Sequence, residues 1–243
     1  MKSKLVSVCT IAKNCADILP TYIAWALDNF EEINIIVDPE STDETSNMMK
    51  VYELNNPELN ILGYVFDNFS LQKSRAINMA TRPWVLLVDT DEIYEEGIPW
   101  DAIVNGMERH GHNAAAFSLY NLQEDIHHYR PPIEPKLRLM KRNIARMDGK
   151  SVDEGLDFSQ VKVAMFDFAH IHFGHIRPED ALKLKGKDRV RFKDEDPCDG
   201  PGMKQYGDEW FIKRNEEFNQ RITWVPRQVS RTIERYTRDS SNI

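Results

Sequence analysis

The sequence predicts an α/β fold built on a mixed, mostly parallel sheet. Two observations predict it. Apolar, β-rich runs alternate with helix-patterned stretches from Leu5 to Val88, the signature of βαβ units. Three of those runs also end in polar or acidic residues: Asn14, Asp38, and Asp89 to Glu92. Open sheets of this kind collect ligands beyond the carboxyl ends of their strands.

The elements follow in order. Residues 5–12 (LVSVCTIA) form a first strand that stops at Lys13-Asn14. Apolar residues at helical spacing (Ile18, Tyr22, Trp25, Ala26, Leu27) predict a helix over residues 18–30. Residues 33–37 (INIIV) read as a second strand, with Asp38 at its end. Ser41-Thr-Asp-Glu44 is a helix-start signal for a helix reaching about Asn55. A third strand is expected over residues 61–66, a helix over 70–79, and a fully buried strand over 84–88. Further along, residues 114–120, 136–140 and 163–169 read as strands. Residues 130–135 read as a loop, because three prolines in six residues oppose regular structure, and His127-His128 as loop decoration. Residues 194–202 form a turn-rich break before a partly helical, arginine-rich tail.

Composition bounds the function. With 243 residues and 41% hydrophobic content the chain can bury a sizeable core. A formal charge of −8 argues against a surface that binds nucleic acid or anionic membrane as a whole. Cys9, Cys15 and Cys198 are too few and too scattered for a disulfide framework or a zinc cluster, which fits a reducing, cytoplasmic setting. No run approaches the roughly 20 apolar residues of a membrane span.

The most informative segment is Asp89-Thr-Asp91-Glu92, directly after the buried run Trp84 to Val88. Carboxylates crowded at a strand end repel one another unless a cation joins them. Oxygen ligands suit Mg²⁺ or Mn²⁺, which share a substrate's phosphates. A solvated acidic turn is the alternative; the neighbouring polar strand ends favour the metal.

Six blocks in order resemble glycosyltransferase family 2, in particular the branch with lipopolysaccharide-core β-glycosyltransferases and peptide S-glycosyltransferases. They are Val6 to Asn14; Ile35 to Asp38 with Ser41-Thr42-Asp43; Phe69 to Asn78; Trp84 to Glu92; Val152-Asp153-Glu154; and His172-Phe-Gly174. The resemblance implies a Rossmann-like, GT-A type nucleotide-sugar fold. It also implies a catalytic domain over 1–193, with a nucleotide-sugar half (1–110) and an acceptor half (111–193), and a C-terminal extension over 194–243. By the same resemblance Asn14, Asp38 and Asp43 serve the nucleoside of the donor, a UDP-sugar foremost. Lys73 and Arg75 lie near its diphosphate, although either also fits a solvated helix face. Asp89 and Asp91 hold Mn²⁺ or Mg²⁺, with His172 as a third ligand or, alternatively, a core histidine.

Inverting transfer needs a base for the acceptor hydroxyl. Glu154 occupies the family's glutamate and Asp153 replaces its histidine; Asp208-Glu209 is the other candidate. Arg227, Arg231, Arg235 and Arg238 fall on one helix face, and Lys183 to Lys193 alternate with other residues. These cations suit either a solvated surface or an anionic acceptor: a saccharide, or hydroxymethylated pyrimidine in phage DNA, which would place the enzyme in a host cytoplasm. Two other functions compete. A nucleotidyltransferase should carry a glycine-rich loop after the first strand, where this chain has Ala12-Lys-Asn-Cys-Ala-Asp17. A non-catalytic nucleotide-sugar-binding module would tolerate loss of Asp89 and Asp91.

Overall fold

The computed structural model describes residues 1–149, 156–157, 161–178 and 223–239. Alternation of strand and helix runs as expected through the first half: β1 (Val6–Ala12), α1 (Leu19–Asn29), β2 (Ile33–Val37), α2 (Thr45–Asn55), β3 (Leu59–Gly63), α3 (Phe69–Met79) and β4 (Trp84–Leu87). Then come β5 (Glu92–Tyr94), α4 (Trp100–Arg109), β6 (Ala114–Leu122), β7 (His128–Lys141) and β8 (Val163–His172). A short β9 (Thr223–Trp224) and a last helix, α5 (Arg227–Asp239), complete the described elements.

The strands form one mixed sheet in the order β3-β2-β1-β4-β7-β6-β8-β5, with β9 paired to β7. Strands β3, β2, β1 and β4 run parallel, β7 is antiparallel to β4 and β6, and β8 is parallel to β6. The largely apolar sequences of β1, β2 and β4 follow from this position: each is buried on both faces. Strands β4 and β5 lie four strand steps apart in that order, yet only residues 88–91 separate them in the chain. Four steps at about 4.8 Å would span about 19 Å on a flat sheet. A turn with Glu92 N–H on the Asp89 carbonyl (2.9 Å) cannot reach that far, so the sheet curls and brings β5 back beside β4.

Two loop readings are overturned. Residues 130–135 are not a loop but the middle of β7. Two features reconcile the prolines with a strand. Pairing with β6 jumps from Leu119↔Glu134 to Asn121↔Arg130, a bulge that leaves Pro131 and Pro132 out of the ladder. The other edge of this stretch is uncovered, because β4 pairs only with residues 139–141 and β9 only with 128–129. His128 likewise begins β7, bonded to Asp125 (2.8 Å) and packed on Trp224.

The tail is seated by its own amphipathicity. Val229, Ile233 and Tyr236 of α5 are buried in the main core, while Arg227, Arg231 and Arg235 face outward. Arg235 pairs with Asp28 (2.8 Å) and Glu96, and the Glu96 N–H donates to Thr232 Oγ1 (3.1 Å). Ile233→Ala is therefore expected to cost about 2–5 kcal/mol through the cavity it leaves; a urea midpoint unchanged from wild type would show that α5 contributes nothing to the core. No described helix is long and apolar enough to cross a membrane.

Candidate donor and metal site

The carboxyl ends of β1, β2 and β4 open on the same side of the sheet, and the loops that follow them are tied together. Asn14 takes a left-handed backbone (φ 47°), which asparagine tolerates, and its Oδ1 accepts from Thr42 N–H (2.8 Å) and Thr42 Oγ1 (3.2 Å). Asp43 accepts from Ala16 N–H (2.9 Å) and from Thr45 N–H (3.0 Å) at the start of α2. Both side chains are thus engaged in holding the β1–α1 and β2–α2 loops to each other. Asp38 is buried, with Oδ1 accepting from Glu40 N–H (2.9 Å) and Oδ2 3.2 Å from Lys13 Nζ.

Lys73 is no solvated helix residue. It is 2% exposed and its Nζ lies 2.6 Å from Asp89 Oδ1. Arg75, two positions on, turns away: its guanidinium makes a bidentate pair with Asp67 (2.8 and 2.5 Å) and stacks 3.6 Å over Tyr64. The two cations that the sequence groups together are therefore separated, and Lys73 alone touches the acidic cluster.

Sequence reasoning missed Arg138. It projects from β7 and places NH2 against Glu92 Oε1 and 3.3 Å from Asp89 Oδ2. Glu92 Oε2 in turn accepts from Asp89 N–H (3.1 Å) and lies 3.1 Å from His170 Nε2. Burial by itself raises the Glu92 carboxyl, but Arg138 and His170 overcome it and hold the group well below the usual carboxylate range. Burial also raises Asp89, but Lys73 and Arg138 together outweigh it, and that pKa is lowered as well. Burial lowers the His170 pKa, and its Nε2 faces Glu92 Oε2. Tyr94 stacks flat on that ring (4.6 Å, 3°). His170 is thereby committed to the interior.

His172, on the same strand face two residues on, is differently placed. It is 19% exposed, its Nδ1 is 2.8 Å from Asn121 Oδ1, and its Nε2 is 3.6 Å from Asp91 Oδ2. A β-carbon at position 174 would lie 2.2 Å from that Nε2, so glycine there leaves room for the ring. Arg177 was also missed: it binds Asp17 through two bonds (2.9 and 2.6 Å) and the Asn14 carbonyl (3.0 Å), with NH1 4.0 Å from Asp91 Oδ2. It fastens the turn after β8 to the loop after β1. Neither arginine had a local sequence signal, since each meets its partners only through the sheet.

Does the site suit a divalent cation? Among the described residues no group of three or more His, Cys, Asp or Glu has the spacing of a metal cage. Mg²⁺ and Mn²⁺ do not require one, because they keep waters and take phosphate oxygens. Asp91 Oδ2 and His172 Nε2 are too far apart for a hydrogen bond. Two donors on one ion, each about 2.0–2.2 Å from it, lie roughly 3–4 Å apart, and 3.6 Å falls in that range. Asp89, by contrast, has Oδ1 against Lys73 and Oδ2 toward Arg138. Glu154, Asp153, Asp208 and Glu209, the base candidates, lie outside the described residues, as do Lys183 to Lys193.

Comparison with known proteins agrees with the fold. A mannosyltransferase from Pyrobaculum calidifontis, PcManGT, in complex with GDP-Man and Mn²⁺, superposes over 98% of this chain and 75% of its own, with TM-score 0.53 and 13% identity. S. aureus TarS superposes over 77% of this chain but 39% of its own, with TM-score 0.51 and 13% identity. Its 1–349 fragment with UDP gives TM-score 0.51 at 14% identity, over 77% of this chain and 65% of the fragment. No curated protein sequence matches. The family model for glycosyl transferase family 2 matches residues 7–171, from within β1 to Ile171 in β8. Since that match takes in both strands that carry the acidic cluster and the strand that brings His170 to it, this chain belongs to glycosyl transferase family 2.

Proposed function

We propose that this glycosyltransferase moves a sugar, with inversion, from a nucleoside diphosphate to an acceptor hydroxyl, with a divalent cation held by Asp91 and His172. The observation that carries the reading is the 3.6 Å facing of Asp91 Oδ2 and His172 Nε2 beyond the carboxyl end of β4. Similar folds in complex with UDP and with GDP-Man and Mn²⁺ support the choice of donor and ion.

In this reading Asp38 and the Asn14–Thr42–Asp43 loops form the nucleoside pocket. Lys73 and Arg138 set the charge around Asp89, so that the cluster is not repelled by the incoming diphosphate. When bound, the cation supplies Lewis-acid stabilisation of the charge that develops on the departing nucleotide. A base among Glu154, Asp153 and Asp208-Glu209 takes the acceptor proton. A saccharide is favoured over DNA as acceptor, because Arg235 of the basic helix face is already paired with Asp28 and Glu96.

A thermal-shift panel of UDP- and GDP-sugars with and without Mn²⁺ tests the proposal. The cognate donor with Mn²⁺ at a hundredfold excess over its Kd should stabilise the protein by roughly 2.7 kcal/mol. A panel with no response in either condition rejects it.

A further inference from the structure

We infer that Asn121 is a positioning residue that makes this site select Mn²⁺ over Mg²⁺, by fixing His172 in the one tautomer and rotamer that offer Nε2 beside Asp91. The inference rests on the metal reading above and adds what chooses the ion.

An amide oxygen can only accept, so the 2.8 Å contact between Asn121 Oδ1 and His172 Nδ1 puts the proton on Nδ1 and leaves the lone pair on Nε2. Nε2 is the atom that faces Asp91 Oδ2. Sheet register makes this alignment rigid: His172 pairs with Asn121 in β6 on one side and with Glu92 in β5 on the other. Gly174 completes the seat, since a β-carbon there would lie 2.2 Å from Nε2 and 3.2 Å from Asp91 Oδ2. His170, on the same face, offers no such ligand, because its Nε2 faces Glu92 and not Asp91.

Imidazole is a good ligand for transition metals, whereas Mg²⁺ is served by carboxylate, phosphate and water oxygens. With the ring locked, the site presents one nitrogen and one oxygen, which Mn²⁺ accepts better than Mg²⁺. With the ring free to turn, only the oxygens remain dependable, and the advantage of Mn²⁺ disappears. Partners of metal-bound histidines typically change metal affinity by about 10–100-fold when removed.

The test measures Mn²⁺ binding by electron paramagnetic resonance and Mg²⁺ by competition, both with UDP present. The proteins are wild type, Asn121→Ala, Asn121→Asp and Gly174→Ala. Nitrogen NMR of the metal-free proteins reports the His172 tautomer. Asn121→Ala should weaken Mn²⁺ by about 10–100-fold, leave Mg²⁺ nearly unchanged and mix the tautomers. Asn121→Asp, which keeps the acceptor, should restore both properties, and Gly174→Ala should lose Mn²⁺ binding as the ring is displaced. Equal loss of both ions, or wild-type Mn²⁺ binding in Asn121→Ala, overturns the role of Asn121 alone, and so does a mixed tautomer in the metal-free wild type. A wild type that binds neither ion overturns the metal reading itself.

Discussion

Asp91→Asn is expected to reduce sugar transfer by about a thousandfold or more while the protein stays folded. Metal-ion stabilisation of a leaving group is worth several kcal/mol, and each 1.4 kcal/mol is about tenfold in rate. Asparagine has nearly the same shape, and the Asp91 carbonyl that accepts from Phe173 N–H (2.8 Å) is unaffected by the change. What is lost is the anionic oxygen that faces His172 and Arg177. Product formation measured beside circular dichroism separates the two effects. Wild-type turnover in a folded Asp91→Asn protein would remove Asp91 from the proposed metal site.

Arg138→Met should act on stability first, and in a way that depends on pH. Arg138 and Glu92 are both buried, so removing the guanidinium strands a carboxylate; breaking one side of a buried pair costs about 3–5 kcal/mol. The sign follows from Glu92, whose folded-state pKa is depressed. Its contribution in the wild type is fully present above the unfolded-state pKa, about 4.3, and is lost as pH falls through the depressed value. In the variant, burial is opposed only by the remaining partners, His170, His172 and the Asp89 N–H, and Glu92 can become neutral by taking a proton. The gap between variant and wild type should therefore be widest near pH 7 and narrow toward pH 4. Urea midpoints at both ends of that range check it, and a gap independent of pH would mean that Arg138 acts by packing and not through Glu92.

Most of the parallel half of the fold was legible in the sequence, because β1, β2 and β4 are buried on both faces and read as largely apolar runs. Asp38 and the acidic cluster stood out because they interrupt those runs at the strand ends, and Asp43 through the helix-start signal and the family resemblance. Asp67 separates two residues that the sequence groups together. Lys73 and Arg75 are neighbours in sequence on the same helix, but a local carboxylate claims the arginine and leaves the lysine to Asp89. The proline-rich stretch misled because its disfavoured positions fall in a bulge beside an uncovered edge, which the order of residues does not reveal.

By itself the sequence determined the βαβ rhythm, the acidic strand end and the family, since each depends on residues close together in the chain. Only the tertiary structure decided which cation meets which carboxylate. Arg138 is 46 residues from Glu92 and Arg177 is 160 from Asp17, and it also set His170 apart from His172, two residues away. The reason is physical: charge pairing and burial act through space over a few ångströms, and curling of the sheet chooses which distant side chains come within that reach.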